Sequence, residues 1–193
     1  MVEQSSEVMV PGLTAPSTAE STDTDLYVSW SDYYQLIEDL ATKVHQSQWE
    51  FNQIICLARG GLRVGDVLAR IFDLPLAIMS TSSYRANQGR SQGGIIFSRD
   101  LTMTTANLGS HVLIVDDLVD SGVTLAKTLV WLEHKYGFYI EEMRTAVLWY
   151  KQCSTITPDY YSQYLSHNPW NHQPFERYEQ MQPADLLTIE ASA

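Results

Sequence analysis

The stretch VLIVDDLVDSGVTL, residues 112–125, places an apolar run directly before a cluster of acidic and small polar residues. Four aliphatic residues in a row, 112–115, predict a strand that is covered on both faces, as in a parallel sheet. Three aspartates follow this run, and they are Asp116, Asp117 and Asp120. The stretch then ends in Ser-Gly-Val-Thr, where a glycine lets the backbone approach a ligand and the first N–H groups of a helix favour an anion. It therefore predicts an anion-binding turn beside an acidic pair.

The chemistry of these residues indicates a ligand with both a phosphate and hydroxyl groups. The N–H groups of residues 121–124, together with the hydroxyls of Ser121 and Thr124, can hold a phosphate monoester. Carboxylates repel a phosphate, so the aspartates must serve another group, either vicinal hydroxyls or a hard cation such as Mg²⁺. The spacing of a Walker loop is absent from the stretch. A phosphorylated ribose with Mg²⁺ satisfies all of these groups.

Strand and helix patterns alternate from residue 53 to residue 150. The predicted strands cover residues 53–57, 76–81, 94–98, 111–117 and 141–151, and the predicted helices cover about 29–46, 62–72 and 121–137. This alternation predicts an α/β fold with a central parallel sheet and helices on both faces. Ligands of such sheets bind beyond the carboxyl ends of the strands. The unusual polar segments fall at those ends, and they are 59–61, 82–84, 116–124 and Lys151.

The charge balance weighs against some classes of ligand. The 193 residues include 12 Lys and Arg against 23 Asp and Glu, a net charge of −11. Such an acidic chain is a poor candidate for binding nucleic acid or an anionic membrane. No run approaches the roughly 20 apolar residues that span a bilayer, and the N-terminus lacks a secretory signal, so we expect a cytoplasmic location. Residues 1–25 are predicted to be a disordered acidic tail, which precedes a single domain of residues 26–193.

Residues 112–125 resemble the phosphoribosyl pyrophosphate (PRPP) loop of type I phosphoribosyltransferases, which has an apolar run, two acids, two apolar residues, an acid, and Thr/Ser-Gly-x-Thr. The resemblance covers about residues 26–176 and is closest to xanthine-guanine and hypoxanthine phosphoribosyltransferases. It implies the type I phosphoribosyltransferase fold, with a flexible lid at about residues 83–110 and a small C-terminal hood at about 158–180. It also implies Mg²⁺ as cofactor, PRPP and a purine base as ligands, and a homo-oligomer, either a dimer or a tetramer.

By this resemblance, the acidic stretch divides its residues between sugar, metal and phosphate. Asp116 and Asp117 would hold the ribose diol, and Asp117 would also be a ligand of Mg²⁺. Asp120 is expected to act as the general acid/base at N7 of the base. The 5-phosphate would be bound by Asp120, Ser121, Gly122, Val123 and Thr124. Many family members have glycine where this chain has valine at position 123.

The segment LARGGL, residues 57–62, resembles the pyrophosphate loop of the same family. Arg59 would approach the pyrophosphate, and the backbone of Gly60 and Gly61 would donate to it. The family often holds this loop with a non-proline cis peptide.

The predicted lid opens with Ser83 and Tyr84, and in relatives this segment covers the reacting bond and excludes water. Arg90 takes the position where purine-salvage relatives place a basic residue toward pyrophosphate. Arg85 is an equally near candidate, and the sequence does not choose between them.

The base site is inferred from three residues near the C-terminus. Lys151 matches a lysine that donates to the 6-oxygen of the purine, and an ammonium group can only donate, which favours 6-oxo purines over adenine. The family usually has Lys-Pro here, whereas this chain has Lys-Gln-Cys. Trp170 would stack on the base. The choice among guanine, hypoxanthine and xanthine would depend on main-chain carbonyls near Asn171.

The sequence therefore favours a purine-salvage enzyme that transfers a phosphoribosyl group from PRPP and releases pyrophosphate. One alternative is a non-catalytic, PRPP-sensing regulatory protein, although such sensors can lose residues like Arg59 and Asp120, which this chain keeps. Another is a phosphoribosyltransferase that acts on a different base, such as a pyrimidine, against which Lys151 and Trp170 argue. The preferred purine, the oligomeric state and the role of the acidic tail stay open.

Overall fold

The computed structural model describes residues 25–83 and 94–190. Within these ranges the strands, in chain order, are β1 (Leu26–Tyr27), β2 (Gln53–Ala58), β3 (Leu76–Ser83), β4 (Ile95–Phe97), β5 (Thr102–Met103), β6 (His111–Val119), β7 (Glu142–Lys151), β8 (Tyr160–Leu165) and β9 (Asn171–His172). The helices are α1 (Trp30–Gln46), α2 (Gly61–Phe72), α3 (Val123–Tyr136), α4 (Arg177–Gln180) and α5 (Pro183–Glu190). Every predicted strand and helix is present, with ends that differ by a few residues.

The main sheet has the strand order β4-β3-β2-β6-β7-β8, and β5 pairs with β3. The pairs along β3-β2-β6-β7-β8 are parallel, whereas β4 and β5 run antiparallel to β3. The chain leaves β2 toward β3 on one side and later returns to the other side with β6. The order therefore reverses between β2 and β6, and crevices that bind ligands in α/β sheets form at such a reversal.

Helices cover both faces of the sheet, which confirms the predicted architecture. On one face, α1 and α2 bury Tyr33, Ile37 and Leu68 against the sheet. On the other face, α3 buries Leu125 and Leu132. The β6 run 112–115 is fully buried because its side chains alternate between these two cores. No helix in the described ranges is long and apolar enough to cross a membrane.

Helix α1 begins with a capping box at Ser29. The Ser29 hydroxyl accepts a hydrogen bond from the Asp32 N–H at 3.1 Å, and the Asp32 carboxylate accepts from the Ser29 N–H at 3.4 Å. Such a cap contributes about 1 kcal/mol to a helix.

The C-terminal region departs from the prediction. Residues 160–165, which were assigned to the hood, form β8 and extend the main sheet beside β7. The hood segment is therefore shorter, and we use that name below for residues 166–180. It also includes a contact that was not predicted, because β9 pairs in parallel with β1 from the start of the domain. The predicted tail, apart from residue 25, lies outside the described residues.

Candidate active site

Two adjoining cavities lie at the carboxyl ends of β2 and β6, where the strand order reverses. The first cavity encloses about 280 Å³ and is lined by residues 58–60, Thr81, Ile95, residues 116–122, Thr124 and Leu125. The second cavity encloses about 740 Å³ and lies between the β2 end and the hood segment, where Trp170 and Gln173 line it. Arg59, Gly60 and Asp117 line both. The predicted pyrophosphate loop and acidic stretch therefore meet in one site.

The two adjacent aspartates are held differently. The Asp116 Oδ1 atom accepts a hydrogen bond from the Asp117 N–H at 2.9 Å. Burial, and then the neighbouring Asp117 charge, raise the pKa of Asp116 well above its ordinary value. The Asp117 carboxylate lies against Gly60, where an added Cβ would be only 2.3 Å from Oδ1. Gly60 is therefore required for this close approach, and Asp117 is the carboxylate that faces both cavities.

The anion-binding turn at the start of α3 has the predicted shape. Gly122 adopts φ +80°, a left-handed conformation that side chains disfavour, and a Cβ there would lie 2.5 Å from the Ser154 Oγ atom. The helix begins at Val123 without a side-chain cap from Gly122. The Val123 N–H makes only a long hydrogen bond, 3.5 Å, to the Ser121 Oγ atom, so a phosphate could compete for the N–H groups of this first turn. Ser121, Gly122 and Thr124 line the first cavity, whereas Val123 does not.

The end of β7 brings Lys151 next to Asp120. The Lys151 Nζ atom lies 3.5 Å from the Asp120 Oδ1 atom, and the lysine side chain is only 7% exposed. The Cys153 thiol lies 3.4 Å from the same Oδ1 atom. The backbone N–H of Thr155 donates to the Ser121 carbonyl at 3.1 Å. The predicted base ligand and the predicted general acid/base are thus neighbours. Cys153 was not predicted, because a cysteine two residues after a strand gives no such signal.

The predicted pyrophosphate loop carries the expected cis peptide, between Ala58 and Arg59. The Arg59 side chain is exposed, and its guanidinium lies 3.4 Å from the Glu179 carboxylate. Because this ion pair is exposed, it holds the arginine only weakly, and a ligand can replace Glu179.

The hood segment is fixed by pairing with β1. The Leu26 N–H donates to the Trp170 carbonyl at 2.9 Å, and the Val28 N–H donates to the His172 carbonyl at 3.0 Å. These bonds leave the Asn171 carbonyl on the opposite edge of β9, since carbonyls alternate along a strand. The Trp170 side chain is 62% exposed and lines the second cavity, whereas the Asn171 side chain is buried and lines neither cavity. Any contact of residue 171 with a base therefore falls to its backbone.

Several predicted lid residues fall at or beyond the edge of the described residues. Ser83 ends β3, while Tyr84, Arg85 and Arg90 lie outside the described residues. Residues that the sequence did not single out also line the site, namely Thr81, Ile95 and Gln173. No group of three or more metal-binding side chains occurs in the part of the chain that the structure describes.

Comparison with known proteins agrees with this geometry. The family model for the phosphoribosyl transferase domain matches residues 25–180. The chain belongs to the phosphoribosyltransferase family. This confirms the resemblance inferred from the PRPP loop, and the match includes every described segment of the two cavities.

Within this phosphoribosyltransferase family, several purine enzymes are similar to the chain. It is 28% identical over 102 residues to xanthine-guanine phosphoribosyltransferase of Idiomarina loihiensis, covering 52% of this chain and 60% of that protein. It is 33% identical over 98 residues to the enzyme of the same description from Gluconobacter oxydans, covering 50% and 56%. The aligned residues thus span less than two thirds of these relatives. The structure of a purine phosphoribosyltransferase from Pyrococcus horikoshii superposes with a TM-score of 0.64 at 25% identity, covering 78% of this chain and 93% of that one.

Proposed function

We propose that this phosphoribosyltransferase transfers the 5-phosphoribosyl group of PRPP to a 6-oxo purine base, releasing pyrophosphate, in purine salvage. The observation that carries the proposal is the position of Lys151, which is buried beside Asp120 at the edge of the phosphate-binding turn. An ammonium with a single carboxylate 3.5 Å away keeps donors for a further oxygen. A purine 6-oxygen supplies that acceptor, whereas the 6-amino group of adenine does not.

The first cavity accommodates the sugar half of the reaction. The 5-phosphate lies on the N–H groups at the start of α3, with Ser121, Gly122 and Thr124 around it and Asp120 at its edge. Asp116 and Asp117 accept hydrogen bonds from the ribose diol. As the bond to pyrophosphate breaks, positive charge grows on the sugar ring, and the nearby carboxylates favour that charge.

The donor set also fits Mg²⁺. This ion keeps most of its waters and binds through one or two carboxylates together with substrate oxygens, so it needs no closed cluster of protein ligands. Asp117, which faces both cavities, supplies such a carboxylate. Bound there, Mg²⁺ would neutralise charge on the pyrophosphate leaving group. Arg59 and the Gly60-Gly61 backbone contact the same leaving group.

The base lies against Trp170, which lines the second cavity, and is approached by Asp120, which lines the first, and by Lys151 beside Asp120. The indole of Trp170 stacks on the purine ring. Asp120 exchanges a proton with N7, and Lys151 donates to the 6-oxygen. The free carbonyl of residue 171 is available to a 2-amino group, which makes guanine a fitting substrate.

A spectrophotometric assay with PRPP, Mg²⁺ and each of guanine, hypoxanthine, xanthine, adenine and uracil tests the proposal. We expect turnover with a 6-oxo purine and none with adenine or uracil. Saturable PRPP binding without turnover of any base would instead favour the regulatory PRPP sensor, and turnover of uracil alone would favour a pyrimidine enzyme.

The role of Asp120 is tested by Asp120→Asn. The amide cannot exchange the proton at N7, so we expect a fall in kcat of about 10²–10⁴-fold with a much smaller change in PRPP affinity. The matched control is Asp66→Asn, because Asp66 is exposed on α2 and pairs only with Arg70 among the described residues. Unchanged turnover in Asp120→Asn would remove this residue from the chemistry.

We also infer that the chain forms a dimer or tetramer, as the resemblance implies. Apolar side chains that are exposed around the C-terminal half of α3 are consistent with this, among them Val130, Phe138 and Tyr139. Light scattering of the purified chain measures the mass directly, and a monomer at micromolar concentration would contradict the inference.

A further inference from the structure

A buried hydrogen bond joins the hood segment to the acidic stretch. The Gln173 Nε2 atom donates to the Asp117 Oδ2 atom at 2.5 Å. Gln173 is only 9% exposed, and its Oε1 atom has no hydrogen-bond partner in the part of the chain that the structure describes. The two residues are far apart in sequence, and the bond spans the boundary between the two cavities. It is the direct contact between the half of the site that would hold the sugar and the half that would hold the base.

We propose that Gln173 is a positioning residue that holds the Asp117 carboxylate for the sugar and thereby couples binding of PRPP to binding of the base. This inference rests on the proposed function, because it assigns Asp117 to the ribose diol. Gln173 itself is not expected to touch the reacting atoms, because it acts through Asp117.

Gln173 can position another side chain because its own backbone is fixed on both sides. Before it, Asn171 pairs with Leu26 in the β9–β1 contact. After it, the Phe175 ring packs 5.9 Å from the Tyr33 ring and lies under the Arg63 guanidinium at 4.4 Å. Tyr33 is fully buried in the core. The hood segment is therefore anchored to the domain at the two points that flank Gln173.

The Asp117 carboxylate has room for both Gln173 and a sugar. An ionised carboxylate offers about four acceptor positions, of which Gln173 occupies one on Oδ2. Both oxygens also lie against Gly60, which has no side chain to displace them. A carboxylate that is held in advance loses little conformational freedom when the diol binds, so the ligand binds more tightly. The unpartnered Oε1 atom of Gln173 adds a second reason to place a ligand here, since a hydroxyl or water that arrives with the ligand can satisfy it.

Coupling follows because the same side chain belongs to the segment that carries Trp170. When the ribose diol binds Asp117, the Gln173 side chain adjusts with that carboxylate, and the hood segment carries the adjustment to the surface that the base meets. The effect must be reciprocal, and the base must tighten PRPP binding by the same factor. Without the hydrogen bond, each ligand would bind as if the other were absent.

Calorimetry on the full chain tests the coupling. The affinity of Mg²⁺-PRPP is measured with and without a saturating 9-deaza purine, which cannot accept the sugar because carbon replaces the accepting nitrogen. Three variants are compared with the wild type. Gln173→Leu removes the hydrogen bond, Gln173→Glu keeps the shape but replaces the donor with a second carboxylate, and Gln182→Leu changes an exposed glutamine beyond the hood segment as a control.

In the wild type and in Gln182→Leu, we expect the base analogue to raise PRPP affinity. In Gln173→Leu, PRPP affinity should fall about tenfold, the usual loss for one hydrogen bond to a charged group, and the analogue should no longer change it. Gln173→Glu should be weaker still, because two carboxylates then face each other. A merely structural residue would lower affinity or stability but would leave the coupling factor intact.

Two failures can be told apart. If the wild type does not bind Mg²⁺-PRPP, the proposed function fails and the coupling fails with it. If the wild type binds PRPP and both Gln173 variants keep the wild-type coupling factor, only the role of Gln173 is overturned. Should Gln173→Leu not fold, Gln173→Glu, which preserves volume and polarity, decides the question by the same measurement.

Discussion

Replacing Gly60 with alanine should remove activity while leaving the fold nearly intact. Gly60 has φ −56° and ψ −49°, a right-handed conformation that alanine adopts without strain. The new Cβ, however, would lie 2.3 Å from Oδ1 of Asp117 and 2.5 Å from its Cγ. The carboxylate must therefore retreat by about 1 Å to reach an ordinary contact of at least 3.4 Å.

The displacement of the Asp117 carboxylate should lower stability only a little but lower activity strongly. The displacement breaks the hydrogen bond from Gln173 to Asp117, which lowers the free energy of unfolding by about 1.5–3 kcal/mol. Water in the adjoining cavities can hydrogen-bond to both groups and offsets part of this loss. Replacing glycine by alanine in a compatible conformation returns about 0.4–1 kcal/mol by restricting the unfolded chain. The net loss in the free energy of unfolding is therefore about 1 kcal/mol. A displacement of 1 Å in a group that orients the substrate costs about 10²-fold in rate, so kcat/KM for PRPP should fall by that factor.

Thermal melts and steady-state kinetics on three glycine variants separate these effects. At Gly65, a Cβ would lie 2.5 Å from the Cβ of Cys56 in the core, so Gly65→Ala should lose about 1–3 kcal/mol while its folded fraction stays active. At Gly94, an added Cβ meets no atom within 4 Å, so Gly94→Ala should change neither quantity. Wild-type kcat/KM in Gly60→Ala, or a loss in its free energy of unfolding well above about 1 kcal/mol, would contradict the expected displacement of the Asp117 carboxylate.

Three further variants or treatments test single groups. Burial raises the pKa of Asp116, so the contribution of this group to stability is complete below the ordinary carboxyl pKa and is lost as pH rises through the pKa of the folded state. Asp116→Asn removes the group that must ionise, and it should therefore raise the melting temperature more at pH 8 than at pH 4. An equal change in melting temperature at both pH values would contradict this. Lys151→Gln should lower kcat/KM for the 6-oxo purine about 10–100-fold with little change in PRPP affinity, and an unaltered preference against adenine would exclude the lysine from base selection. Cys56 is buried with its pKa raised to about 12, whereas Cys153 is exposed. A maleimide should therefore modify only Cys153 in the native chain and lower turnover, while the same treatment should leave Cys153→Ser active.

Local patterns were sufficient to predict most of the sheet and the acidic loop. The aliphatic run 112–115 is buried on both faces, and its acids emerge at the strand end, because a parallel strand presents its carboxyl end to the ligand crevice. The positive φ of Gly122 likewise follows from a turn that needs a glycine. These features depend on neighbouring residues, which is why one stretch of sequence is enough to predict them.

The parts that were missed depend on contacts between distant segments. β1 and β9 contain only two residues each, too few for any periodicity, and they exist because they pair with one another. β8 lies at the edge of the sheet and has mostly exposed or half-buried residues, so its pattern resembles a loop. The Gln173–Asp117 hydrogen bond spans 56 positions, and no local signal distinguishes this glutamine from its neighbours.

The position of Asp117 depends on more than the acidic motif to which it belongs. In the sequence, Asp117 is one of two adjacent acids, and the motif alone explains why a carboxylate stands there. In the structure, both oxygens lie against Gly60 of the predicted pyrophosphate loop, Oδ2 also accepts a hydrogen bond from Gln173 of the hood segment, and the adjacent Asp116 has a raised pKa. A chain of net charge −11 has little general attraction for a polyanion, so any affinity for the proposed ligand PRPP would have to come from local geometry. Small displacements of one carboxylate should therefore affect the sugar, the leaving group and the base together.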